Sequence, residues 1–161
     1  MKPTKIFIHH TAVSYKRNPD QWEQTNAYHK QRWNFISSLG FYAGYNYEVA
    51  ADGTIRQARA DGEETAAQIG YNNELSIALD GNFDIEMPTP AQITSLKSIL
   101  SEKMALYGIP PDNILPHRAV ASYKSCYGTN LSDSWARDLI VQDKISILKQ
   151  LIELYKKLLA L

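Results

Sequence analysis

The sequence predicts an α/β fold: a single mixed β-sheet flanked by α-helices, with an amphipathic helix added at the C-terminus. Short apolar runs of strand length alternate with longer segments of helical period along most of the chain. An Asp52-Gly53 pair between two strand-like runs marks a hairpin, so part of the sheet is antiparallel. From Asp143 onward, aliphatic residues gather on one side of a helical projection and polar, lysine-rich residues on the other.

Lys5 to Thr11 alternates, with Ile6 and Ile8 on one face and Phe7 and His9 on the other, as a buried strand does. Asn18-Pro19 has the form of a helix cap with proline in the first turn. Trp22, Tyr28, His29, Trp33 and Ile36 then recur at helical spacing, which predicts a helix from about residue 19 to 36. After Gly40 and Gly44 come two strands, Tyr45 to Val49 and Thr54 to Gln57, joined at Asp52-Gly53. Ala58 to Asn73 is polar, rich in small residues and without a period, which predicts an ordered loop of functional length. Leu75 to Leu79 reads as a central strand. Pro88-Thr89-Pro90 opens a helix that ends at Gly108, its buried face marked by Ile93, Leu96, Ile99, Leu100, Met104 and Leu106. Ile114-Leu115 predicts a last strand feeding His117, and Leu131 to Ile140 a final domain helix. The expected organisation is one domain over residues 1–141 and a separate helix over 142–161.

In that last segment Ile145, Ile147, Leu148, Leu151, Ile152, Leu154, Tyr155, Leu158, Leu159 and Leu161 share one side. The arc covers roughly half the circumference, wider than a two-helix seam needs. Such a face needs cover: its own domain, a second copy of the chain, or, given the lysine excess opposite, a membrane surface.

With 161 residues the chain has room for one hydrophobic core. Lys plus Arg and Asp plus Glu each number 17, so no net field draws the protein to nucleic acid. Recognition must be local, and the ten tyrosines and three tryptophans suit both a core and an open groove. MKPTKIFIHHTA contains no apolar stretch long enough for a signal-peptide core or a span, so synthesis is expected to finish in the cytoplasm, with any release left to a separate system.

The single cysteine, Cys126, excludes an intramolecular disulfide and is a free thiol or a ligand. His9 and His10 end a strand and point to opposite faces, so the pair cannot chelate together. His29 lies among helix aromatics and reads as a hydrogen-bonded core or rim residue. His117 and Cys126 close the ends of HRAVASYKSC, a step that can bring imidazole and thiolate to one point. Zinc accepts that mixture, three protein ligands leaving a fourth position for water.

Ile6-Phe7-Ile8-His9-His10-Thr11, Tyr28-His29-Lys30 with Trp33, Gly44-Tyr45-Asn46-Tyr47 before Asp52-Gly53-Thr54, Gly70-Tyr71-Asn72, Gly81-Asn82-Phe83, Pro90-Ala91-Gln92, His117-Arg118 and Lys124-Ser125-Cys126 stand in one order. As a set, over about residues 5 to 140, they resemble the zinc-dependent N-acetylmuramoyl-L-alanine amidases, whose fold is shared by phage lysozymes and peptidoglycan recognition proteins. The resemblance implies Zn2+ held by His9, His117 and Cys126. It also implies catalytic roles for Tyr45 and Lys124, and cleavage between the lactyl group of N-acetylmuramic acid and the L-alanine of the stem peptide at the bacterial cell wall. Gln68, Tyr71 and Asn72 are expected to line the substrate groove. Two positions depart from the family: Ala67 stands where a histidine is usual, and Tyr127-Gly128 follows the cysteine in place of proline and glycine. Three readings compete: a cysteine hydrolase with Cys126 as nucleophile and His117 as base, a module that binds peptidoglycan without cutting it, and a zinc that only staples the last loop.

Overall fold

The computed structural model describes residues 2–159; Leu161, counted in the C-terminal apolar face, lies outside them. Five strands form one mixed sheet: β1 (Ile6–His10), β2 (Tyr47–Val49), β3 (Ile55–Gln57), β4 (Leu75–Leu79) and β5 (Ile114–Pro116), in the order β3-β2-β4-β1-β5. β1 is central and parallel to both β4 and β5, β4 is parallel to β2, and the β2–β3 hairpin is antiparallel. The period of two sorts the residues. Ile6, Ile8, Leu75, Ile77, Leu79, Tyr47 and Val49 join one apolar cluster with Leu96, Ile99 and Leu100 of α2 (Pro90–Tyr107) and Ala136 and Ile140 of α3 (Trp135–Leu159). Phe7, His9 and Glu48 alternate onto the opposite face, where α1 (Trp22–Trp33) lies with Thr25 donating to Glu48 at 3.1 Å.

α2 begins as its sequence predicts, with a Thr89/Gln92 capping box behind Pro90, and ends at Gly108 in the left-handed region. The Gln92 side chain then reaches the carbonyls of Val49 and Asp80, clamping the ends of two strands. α1 is shorter than expected, starting at Trp22 rather than near Pro19. The segment before it is held by long-range partners: the Pro19 carbonyl accepts from Ala51, and the Asp80 carboxylate takes the Gln21 N–H at 2.7 Å. Asn34, at φ 47°, closes the helix short of Ile36. Tyr45 precedes β2 instead of opening it.

The two C-terminal helices expected from the sequence are one. α3 begins at Trp135, because Leu131 is buried in a turn and gives its carbonyl to Arg118, and nothing between 135 and 159 supplies a breaker. Beyond Ile140 it leaves the domain: Ile147, Leu148, Leu151, Leu154, Tyr155, Leu158 and Leu159 are all more than half exposed. Among the described residues no helix is long and apolar enough to cross a membrane.

Under α1 the Glu48 and Asp80 carboxyls are buried and interact electrostatically with each other, and neither Glu48 Oε2 nor Asp80 Oδ1 finds a hydrogen-bond partner. Burial raises both above the usual carboxylate range, Asp80 to about 6. The pair's stability contribution is therefore full in acid, below the unfolded carboxylate range, and is lost as pH rises through that raised value. Glu48→Gln removes the need for a shared proton, so its melting temperature relative to the native chain should climb between pH 5 and pH 8 by the equivalent of ~1–3 kcal/mol. A difference that stays flat across that range would contradict the pairing.

Candidate metal centre

His9 sits at the C-terminal end of β1 on the α1 side of the sheet, one residue before the strand stops. His117 opens a 3₁₀ turn (His117–Ala119) directly after β5, the neighbouring strand, so the sheet itself delivers both imidazoles to one end. Their ring centroids are 4.5 Å apart. Cys126 is brought back by the loop after that turn. Arg118 N donates to the Cys126 carbonyl at 2.7 Å, and the Arg118 guanidinium gathers the carbonyls of Ser125, Gly128 and Leu131. Tyr127, where the family favours proline, anchors the loop by burial: its ring meets Trp135 and its hydroxyl donates to the Ser132 carbonyl at 2.6 Å. Gly128, at φ 112°, lies so close to Phe83 that a Cβ would meet its backbone at 2.5 Å.

Ligand atoms of His9, His117 and Cys126 all lie within 4.8 Å of one another, the one such group of three among the described residues. Cys126 Sγ is 3.7 Å from His9 Nδ1. A tetrahedral zinc with its usual Zn–S and Zn–N lengths separates such atoms by about 3.6 Å, so this spacing fits the metal. The donor chemistry fits as well. Burial, then the neighbouring His117, lowers His9 well below the ordinary imidazole value, and burial takes His117 down to about 4; both are neutral and able to coordinate at neutral pH. Burial pushes the Cys126 thiol up to about 12, while the His10 N–H points at its sulfur from 3.4 Å, a donor suited to a metal-bound thiolate. His10 itself turns away, its Nδ1 accepting from Phe83 N at 3.1 Å, as strand alternation requires.

The three donors line an open cleft of about 420 Å³ together with Trp33, Tyr45 and Lys124. Tyr45 is half-buried, its ring 5.2 Å from that of His9 and 5.3 Å from that of His29. Burial raises its phenol above the usual range, so it remains a proton donor at working pH. His29, read from the sequence as structural, holds this arrangement: it accepts from Gly44 N at 2.9 Å and stacks on Trp33. Lys124 is exposed at the lip, its ammonium 5.8 Å from the Tyr123 ring. Ala66 and Ala67 form the facing wall, so the departure at Ala67 leaves room in the cleft itself.

The three residues expected to touch substrate stand elsewhere. Gln68 is fully buried behind His9, with its Oε1 3.1 Å from His9 Nε2. Asn72 Oδ1 accepts from Gln68 N, and Tyr71 packs on Phe7 with ring centroids 5.4 Å apart. None of the three lines the cleft. Sequence reasoning missed the Arg118 fork, whose only local sign is its place beside His117, and Tyr123, an exposed ring in the same loop.

Fold and cleft together define a class: mixed-sheet α/β domains that gather two imidazoles and a thiol at one end of the sheet. The profile of N-acetylmuramoyl-L-alanine amidases matches residues 1–129, and the chain belongs to that family. It is 33% identical over 131 residues to peptidoglycan-recognition protein SC2 of Drosophila melanogaster, covering 77% of this chain and 67% of that protein. With the endolysin of Escherichia phage T7 it shares 28% over 147 residues, 86% of this chain and 90% of the other. Among solved structures, N-acetylmuramoyl-L-alanine amidase LysC from Clostridium intestinale superposes with a TM-score of 0.68 at 30% identity, covering 81% of this chain and 79% of that one.

Proposed function

We propose that the protein is a zinc-dependent N-acetylmuramoyl-L-alanine amidase that hydrolyses the lactyl–L-alanine amide of bacterial peptidoglycan, as a phage or prophage lysin or a wall-remodelling enzyme. The observation that carries this reading is the convergence of His9, His117 and Cys126 in an open cleft with the Tyr45 ring beside them. A zinc held there by His9, His117 and Cys126 would supply a Lewis acid for the scissile carbonyl and would acidify water toward neutral pH. Tyr45 donates a hydrogen bond to the oxyanion or holds the attacking water by the same proton. Lys124, at the lip, brings positive charge to the cleft, to stabilise the oxyanion or protonate the leaving amine. Trp33 and Tyr123 give flat apolar surfaces to a glycan or peptide laid along the cleft.

Burial argues against a cysteine nucleophile. It holds the Cys126 thiol high and His117 low, the reverse of what a thiolate–imidazole pair needs. The cysteine donor and a set of three protein donors, which would leave a bound zinc a position for water, argue for catalysis over binding alone or a structural staple. Digestion of purified peptidoglycan, with products identified by mass spectrometry, should yield stem peptides with a free L-alanine amino terminus. A chelator should stop this and added zinc restore it. New reducing sugars, or full activity in chelator, would refute the assignment.

We assign the catalytic domain to residues 1–141 and a separate task to 142–161. α3 places its last buried residue at Ile140, and the Lys97–Asp143 ion pair beyond it is partly exposed and worth little. A run of large apolar side chains each more than half exposed marks an interaction surface. Its width suits a bundle of several helices, so a second copy of α3 is the occupant assigned here. Deleting 142–161 should leave the melting temperature nearly unchanged and reduce the solution mass to that of a monomer. If the full chain is already monomeric but sediments with anionic vesicles, the lysine face serves a membrane and self-association is wrong.

A further inference from the structure

We propose that Gln68 is a positioning residue: it holds His9 in the tautomer protonated at Nε2, leaves Nδ1 as the metal-binding atom, and thereby raises the affinity of the cleft for zinc. The second half of the proposal rests on the zinc reading above; the first half stands on the metal-free protein.

The orientation of the Gln68 amide follows from its partners. Its Nε2 reaches two backbone carbonyls, Tyr71 O at 3.2 Å and Glu74 O at 3.3 Å. Carbonyls only accept, so the NH2 group must face them and Oε1 must face His9. A carbonyl-type Oε1 can only accept as well, and it lies 3.1 Å from His9 Nε2. The proton therefore resides on Nε2, and the lone pair on Nδ1, the nitrogen 3.7 Å from Cys126 Sγ. A flipped amide would set two donors against the imidazole and oxygen against oxygen at the carbonyls.

The loop is built to keep that amide still. Gln68 N donates to Asn72 Oδ1 at 3.1 Å, its carbonyl accepts from Tyr71 N at 2.9 Å, and Thr65 donates to the Asn72 carbonyl through both its N–H and its hydroxyl. The side chain is wholly buried, so water does not compete for either end. Tyr71 and Asn72 thus support Gln68, and Gln68 supports His9. A metal-bound imidazole commonly donates its second N–H to such an acceptor, which sets the ring's orientation and its basicity toward the metal.

The first measurement is the tautomer of His9 in the metal-free chain, by nitrogen-15 NMR, with the signal assigned by its loss in His9→Asn. A single Nε2–H tautomer is expected in the native sequence and in Gln68→Glu, which keeps an acceptor. A mixture is expected in Gln68→Leu, which keeps the bulk and removes the acceptor. Zinc affinity, measured by competition with a chromogenic chelator, should fall about 10–100-fold in Gln68→Leu and less in Gln68→Glu. His9 protonated at Nδ1 in the native protein would overturn the proposal, as would a folded Gln68→Leu protein that binds zinc within about twofold of native. Should the native chain bind no zinc at all, the function assigned above fails, while the tautomer still reports on Gln68. Unfolding of Gln68→Leu leaves the native tautomer as the deciding result.

Discussion

Replacing Cys126 with serine is expected to lower peptidoglycan hydrolysis at least about 10³-fold, a loss of ~4 kcal/mol in transition-state stabilisation, and to leave the protein without stoichiometric zinc. A serine hydroxyl does not ionise at neutral pH and is a poor ligand, so only His9 and His117 would remain, too few for a firm site. The thiol stands at the meeting point of the β1 end and the Arg118-braced loop, and no other cysteine exists to replace it. Activity alone does not separate a ligand from a nucleophile, since both readings foresee a dead variant. Metal content does: bound zinc measured by atomic emission should drop from about one equivalent to a small fraction. The variant should also keep the native circular dichroism, because the Arg118 fork and buried Tyr127 hold the loop independently of the sulfur. One retained equivalent of zinc in Cys126→Ser would remove this residue from the metal site.

Arg59→Ala should cost about 3–5 kcal/mol of folding free energy. The guanidinium is fully buried and donates to three carbonyls, those of Ala43, Glu64 and Phe35, from segments that have no regular structure of their own. Its plane also lies 4.3 Å from the Phe35 ring centroid, and Glu63 stands 3.9 Å away as a partial counter-charge. Alanine would leave those acceptors without a donor and open a cavity between the end of α1 and the 58–64 loop. Because Ala43 is one residue from Gly44, and His29 and Tyr45 hang on Gly44, the loosening should also reach the cleft and raise KM. Urea unfolding at pH 7 measures the first effect and steady-state hydrolysis the second. A change below about 1 kcal/mol would show that water replaces the guanidinium at little cost.

Much of the sheet was legible because its strands bury alternate residues: Ile6 and Ile8 against Phe7 and His9 gave the inward and outward sets, and Leu75 to Leu79 announced a strand covered on both faces. α2 was equally plain, since its capping box and closing glycine are local signals. α1 misled at its start, because Asn18-Pro19 has the local form of a cap, whereas Ala51 and Asp80 hold the preceding segment from across the fold. The site divided in the same manner. The three metal-site candidates and Tyr45 were marked by motif order, while Gln68 was read as a groove residue because sequence shows neither burial nor which partner an amide turns toward.

Residue order alone determined the α/β class, the strand pattern that sends His9 to the face opposite Ile6 and Ile8, and the amphipathic character of the last helix. Tertiary structure decided where Gln68 points, that His29 braces Tyr45, that Arg59 and Arg118 pin the irregular segments, and that α3 runs unbroken past the domain with its apolar face bare. The physical reason is range. Periodicity and capping act within a few residues and are written in the local sequence, whereas burial and hydrogen-bond pairing join atoms tens of residues apart and exist only once the chain has closed.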